Sequence, residues 1–286
     1  MLFLRNYCVF SNIAQNSTFI YIQFQLPGSF LSAIIFFIRY RQEIYADETN
    51  EKFLSFYYRN MKEVPDIHLD LKKTALLIVD MQKHFIAKDG YDSLQCKEAG
   101  EWDEWEWFYD HVEKVVIPNN KRLLDCCRKN GVEVTYGRIA SLKKDGSDRS
   151  RVQSTVGWND IYVYVGDDSA KMVDELTPLE YEIVVNKTTD SVSLGTNYPQ
   201  ILHNVGIDTV IVTGVVTDQC VASTIRVLAD QGFRVICPED SCAAATQELH
   251  EAELRIMNVI YCTVLSTDET IQLIEEAAAQ GTPAID

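Results

Sequence analysis

The feature that most constrains this chain is a β-branched run that stops at a glycine and turns into a helix. Residues 209–221 read TVIVTGVVTDQCV. The unbroken run from Thr209 to Val212 is the mark of a strand buried in a parallel sheet. Gly214 breaks it and Thr217 offers an N-cap. Val221, Ile225 and Leu228 then recur at helical spacing until Gly232 closes the helix. Cys220 therefore falls in the first turn of a helix, just past the carboxyl end of a strand. An open α/β sheet places its ligand crevice there. A helix N-terminus favours an anion by about 0.3–1 kcal/mol, up to about 2 when partly buried. One pKa unit is about 1.4 kcal/mol, so the dipole alone predicts a thiol lowered by roughly one unit. Two readings stand: a small thiol packed under the helix, or a nucleophile.

The same strand-to-helix unit recurs along the chain. Apolar runs at 74–79 (TALLIV), 132–139, 181–185, 209–213, 233–237 and 259–265 alternate with helical patterns at 112–129, 199–204, 218–230, 247–257 and 268–279. Such alternation predicts βαβ units. With right-handed crossovers these give a doubly wound α/β fold. The expectation is a mainly parallel six-stranded sheet with helices on both faces, in one domain over 62–286. Residues 1–61 stand apart as an N-terminal extension. Residues 1–42 hold no Asp, Glu or Lys and only Arg5, Arg39 and Arg41. Their apolar block at 30–38 is far short of the ~20 residues that span a bilayer. They also lack the order of a secretory signal. An accessory or mis-started extension is expected, with Met61 as the second methionine, rather than a membrane-contacting arm.

Composition removes several function classes. A net charge of -16 over 286 residues excludes the clustered Lys and Arg of a nucleic-acid binder. Eight cysteines are scattered, without CxxC or Cys/His spacing, so no zinc site and a reducing, cytoplasmic setting are expected. His68, His84, His111, His203 and His250 show no ligand spacing. No GxGxxG follows the first strand and no GxxxxGK[ST] occurs, which argues against dinucleotide and nucleoside-triphosphate enzymes. No cofactor is expected.

Asp80, Lys187 and, one turn later, Cys220 lie at the carboxyl ends of three apolar runs. In a parallel sheet these ends share one edge. Asp80 alone reads equally as an N-cap, and Lys187 alone as a solvated charge. Together they form an acid, a cation and a nucleophile at one crevice. TALLIVDMQKHF at 74–85, VVNKTTDSVSLGTN at 184–197 and VTGVVTDQCVASTIRVLADQGFRVICPEDSCAA at 212–244 then carry a resemblance to the isochorismatase-like cysteine hydrolases. It covers residues 72–274.

The resemblance implies the Rossmann-like three-layer fold of that family and a catalytic triad of Asp80, Lys187 and Cys220. It also implies a non-proline cis peptide at Val215–Val216, and an oxyanion hole from the Val216 and Cys220 amides. It implies a homo-oligomer, a dimer or tetramer, acting on a small molecule. Having Cys220 points away from vinyl-ether cleavage and toward the amidase branch. The segment TYGRIASLKKDGSD carries no His, so the metal site of nicotinamidases is not expected. The expected reaction is hydrolysis of a C–N bond in a small linear amide or ureido (N-carbamoyl) compound through a thioester. The alternatives are a nicotinamidase-like amidase and a non-catalytic binding protein of the same fold. Gln82, on the face of Asp80 if the strand continues, and Arg138, at the end of the second run, are candidate substrate contacts. Arg138 also reads as a salt-bridge partner. The segment EWDEWEWFYD from Glu101 puts Trp102, Trp105 and Phe108/Tyr109 at helical spacing. That face packs on the core or a neighbouring subunit, or forms a pocket wall or lid.

Overall fold

The apolar and β-branched runs of the sequence form strands. The computed structural model describes residues 7–12, 17–26, 29–34, 48–60 and 67–281. The expected boundary between 61 and 62, with Met61, lies outside them. The chain divides into two compact units, Met1–Asp47 and Glu48–Asp286. The first contains β1 (Tyr7–Asn12), β2 (Ser17–Leu26) and β3 (Ser29–Ile34), paired antiparallel in that order. No helix among the described residues is long and apolar enough to cross a membrane.

The second unit holds the parallel sheet. Its strands are β4 (Thr74–Val79), β5 (Glu133–Ile139), β6 (Ile183–Lys187), β7 (Thr209–Val215), β8 (Arg234–Pro238), β9 (Cys242–Ala243) and β10 (Thr263–Leu265). The order is β10-β8-β7-β4-β5-β6, with β9 added beside β7. Six strands were expected; the two-residue β9 makes a seventh, too short to leave a periodic signal. From β4 the chain moves outward through β5 and β6, then returns to the other side of β4 and moves outward again. The β4–β7 pair is thus the switch point at which loops diverge and a crevice opens.

Period-two alternation divides the core. Ala75, Leu77, Val79, Val210 and Val212 face one side, where Leu202, Ile225, Leu228, Leu254 and Met257 cover them. Leu76, Ile78 and Ile211 face the other, under Phe108, Val112, Val116, Leu123, Leu124 and Ile274. Every residue of β4 and β7 is buried, as a double-covered parallel strand requires. Gly214, at φ +116°, allows the two strands to close: a Cβ there would lie 2.0 Å from Val79 O.

Two strand ends differ from expectation. The run at 181–185 becomes Ile183–Lys187, so Lys187 is the last strand residue rather than one beyond it. The run at 259–265 yields only Thr263–Leu265, because Val259 turns the chain at φ +78°. Asn258 fixes that turn: its side chain accepts from Val264 N at 3.2 Å and from Asn50 Nδ2 at 3.0 Å. Residues 48–60, expected within the extension, belong to the second unit. Phe53 follows the short Glu48–Lys52 helix and is fully buried in the core.

Candidate active site

Three strand ends deliver three side chains to one point. Asp80 follows β4 in the left-handed region, at φ +52°, a conformation Asp tolerates better than most residues. Its backbone N–H donates to Gly137 O at 2.9 Å. Its Oδ1 accepts from Ile139 N at 2.9 Å and its Oδ2 from Lys187 Nζ at 2.8 Å. Lys187 reaches across the end of β5, and its side chain is 0% exposed. The ammonium also donates to Thr189 O at 3.1 Å and lies 3.4 Å from Cys220 Sγ. The carboxylate, ammonium and thiol expected at one crevice do meet there.

Cys220 sits in a π-helical turn, Thr217–Val221, that leads into the Ala222–Asp230 helix. The Val215–Val216 peptide before it is cis. Thr217 is not the N-cap; that position is Val216. The Thr217 hydroxyl is instead paired with His250 Nδ1 at 2.8 Å. Thr224, which the sequence did not single out, donates from Oγ1 to Cys220 O at 2.7 Å and accepts from Val192 N at 3.0 Å. It ties the Cys220 turn to the loop after β6. A Ser or Thr one helical turn past such a Cys is the sequence signal for that role.

The protonation balance corrects the expectation of a lowered thiol. Burial pushes the Cys220 thiol well above its ordinary value. Lys187 pulls it down, while the Asp80 charge and hydrogen bond push it up. A helix dipole worth about one pKa unit does not offset the desolvation of a buried thiol, which moves pKa by up to several units. Burial also raises the Asp80 carboxyl, against the Lys187 ammonium that lowers it. For Lys187, burial works downward, but the facing Asp80 and Cys220 prevail and its value is raised.

A cavity of about 360 Å³ opens on Cys220 and Asp80. Val215, Val216 and Gln219 line it together with Cys220. The Trp102–His111 helix supplies Trp105, Phe108 and Tyr109 as one wall, and Asn159 and Ile161 stand among the other lining residues. Trp102 stacks on Tyr109 with ring centroids 5.2 Å apart, and Trp102 and Trp105 pack against the core. The aromatic segment therefore both packs on the core and walls the cavity.

Gln82 and Arg138 do not line this cavity. Gln82 is fully buried, donating from Nε2 to Ile139 O at 2.9 Å and Ala170 O at 3.2 Å. Its Oε1 accepts from Ile139 N at 2.9 Å. It replaces a strand neighbour for β5 instead of pointing to a ligand, because the chain turns at Asp80 and the strand does not continue. Arg138 donates to Asn186 Oδ1 at 2.7 Å and to Ala170 O at 3.3 Å. Its neighbour Ile139 lines the cavity, and alternation along β5 turns Arg138 away. Among the described residues, no group of three His, Cys, Asp or Glu side chains is arranged to hold a metal ion. Cys96, Cys126, Cys127, Cys220, Cys237, Cys242 and Cys262 are free thiols.

Residues 74–269 match the Isochorismatase domain, and the chain belongs to the isochorismatase family. A crystal structure of a cysteine hydrolase from Pseudomonas syringae pv. phaseolicola has the same fold, with TM-score 0.64 and 24% identity, covering 76% of this chain and 99% of that one. The N-carbamoylsarcosine amidase of an Arthrobacter species is 28% identical over 172 residues, 57% of this chain and 62% of its own. Nicotinamidase 3 of Arabidopsis thaliana is 28% identical over 196 residues, 66% of this chain and 82% of its own.

Proposed function

We propose that this chain is a cysteine-dependent hydrolase of carbon–nitrogen bonds other than peptide bonds, acting on a small amide or ureido compound. The observation that carries the reading is the Lys187 ammonium, 2.8 Å from Asp80 Oδ2 and 3.4 Å from Cys220 Sγ, beside a cavity onto which the acid and the thiol open. The amidases among the relatives support the same reaction class.

The resting thiol is protonated, since burial raises it. Attack therefore requires a base in place. Asp80 takes the Cys220 proton as Sγ adds to the substrate carbonyl carbon. Its raised carboxyl makes it a stronger base than a solvated aspartate. Lys187 keeps the carboxylate ionised before transfer and faces the thiolate during it. The tetrahedral oxyanion is assigned to the Val216 and Cys220 amides, in a turn where Gln219 N and Val221 N, on either side of Cys220, donate to Val216 O at 3.1 and 3.3 Å. Asp80 returns the proton to the leaving nitrogen as the C–N bond breaks and a thioester forms. Asp80 then deprotonates water, which cleaves the thioester to the acid and returns the free thiol.

The test is ammonia release by the purified full chain across primary amides, ureides and N-carbamoyl amines. Cys220→Ala, Asp80→Asn and Lys187→Ala are each expected to lower turnover by at least about 10³-fold, the scale of losing a nucleophile or its base. A Cys220→Ala chain that hydrolyses an established substrate at the wild-type rate refutes the mechanism.

A further inference from the structure

The charge of the cavity wall narrows the substrate. Two aspartates, Asp80 and Asp92, line the cavity, and among the described residues no Lys, Arg or His does. Lys187, which is nearby, is fully covered and committed to Asp80 and Thr189. Arg138, the cation expected to meet a substrate carboxylate, turns to Asn186 and Ala170.

Asp92 is in the first turn of the Tyr91–Ala99 helix. Its carboxylate lies 3.3 Å from His84 Nε2, yet its side chain remains 44% exposed. Its charge is felt at the cavity lining: after burial, it is the next influence raising the Cys96 thiol, four residues along the same helix, and the Tyr109 phenol. Trp105 and Phe108 line the same cavity, and aromatic ring faces favour flat apolar groups and cations. Gln95 and Asn159 add neutral polar groups.

We propose that Asp92 makes this cavity selective for amides whose remaining part is neutral or cationic, with a flat or apolar body, and excludes those bearing a carboxylate. The inference rests on the amide-hydrolase reading for its choice of amides, but its test does not depend on turnover. An anionic tail in this cavity meets a like charge and, among the described residues that line it, no Lys, Arg or His. An ammonium or N–H donor meets a half-exposed carboxylate and aromatic faces. The whole chain, at net charge -16, adds a weaker field of the same sign.

The experiment measures binding to the full chain carrying Cys220→Ala, read by intrinsic Trp fluorescence at neutral pH and low salt. The probes are benzamide, 4-(aminomethyl)benzamide and 4-carboxybenzamide. The aminomethyl compound is expected to bind about tenfold tighter than the carboxy compound, a difference of about 1.4 kcal/mol. Added salt shrinks the ratio. Asp92→Asn is expected to reduce it to within about threefold, and Asp92→Glu, which keeps the charge, to preserve most of it. Equal or tighter binding of 4-carboxybenzamide overturns the inference. So does a preference that survives Asp92→Asn, and so does failure of all three probes to bind. Charge-selective binding without ammonia release by the wild-type chain would refute the hydrolase reading and leave the charge selection standing.

Discussion

Replacing Lys187 with methionine isolates the electrostatic centre of the site. Methionine keeps most of the stem volume and removes the charge. The Asp80 carboxyl is left buried, still accepting from Ile139 N but without its 2.8 Å counter-charge. Breaking one side of a buried pair costs about 3–5 kcal/mol. The cost has a pH signature. Burial already raises Asp80 against the pull of Lys187; without that pull it rises further. A carboxyl raised in the folded state contributes stability that is fully present below the unfolded value, about 3.9, and is lost as pH rises through the folded value. The loss accrues at about 1.4 kcal/mol per pH unit, so about 3–5 kcal/mol spreads over roughly two to four units above pH 4. Lys187, also raised, contributes stability in the wild type that is lost only as pH climbs beyond about 10.4, outside this window. Urea unfolding of the full chain at pH 5 and pH 8 reads the difference. With a slope of about 2–3 kcal/mol per molar, the variant's midpoint is expected about 1–2 M below wild type at pH 8 and less than half as far below at pH 5. Adding Asp80→Leu removes the orphan carboxyl and is expected to restore most of the loss. Equal losses at both pH values, or none at pH 8, would refute the buried-pair account.

Cys220 should resist iodoacetamide at pH 7, labelling at least about tenfold more slowly than a small free thiol, because the thiolate is the nucleophile and burial holds it protonated. Asp80→Asn should speed that labelling while abolishing turnover, since Asp80 raises the thiol; rapid wild-type labelling at pH 7 contradicts this. Gly214→Ala should cost at least about 3 kcal/mol and lower Tm by about 6–12 °C, because its Cβ meets Val79 O at 2.0 Å. A Tm within about 2 °C of wild type disproves that close approach. Phe53→Ala should lose about 3–5 kcal/mol in urea unfolding; no loss would mean that residues 48–60 are not part of the core.

How much was legible depended on whether a signal was local. The six main strands could be read because each is a β-branched or apolar run, and the meeting of Asp80, Lys187 and Cys220 because they lie at or one turn past the ends of such runs. Gln82 misled because a period-two extrapolation assumed a continuing strand, whereas Asp80 turns the chain at φ +52°. Arg138 misled because the register that turns Ile139 toward the cavity is set by pairing with β4, which sequence alone does not reveal. The depressed thiol was a local dipole argument overtaken by a non-local quantity, burial. Phe53 escaped notice because a single aromatic beside a five-residue helix leaves no periodicity. It packs in the core beside Asn50, which engages Asn258, 208 residues away.

The same burial that defeats a resting thiolate gives the proposed mechanism its economy. Were Cys220 lowered and Asp80 left at a solvated value, the thiolate would persist unaided and Asp80 would be a poor proton acceptor. Desolvation instead raises both groups. The proton then passes between two partners of increased affinity, and the thiolate appears only with a carbonyl to attack. Lys187 makes this workable. Its ammonium faces negative charge whether that charge rests on Asp80 or on Cys220, at 2.8 and 3.4 Å. Moving the proton therefore shifts charge around a fixed cation without exposing an unpaired one. An exposed site of the same three residues would lose that constraint to water, which is why the triad lies where β4 and β7 are covered on both faces.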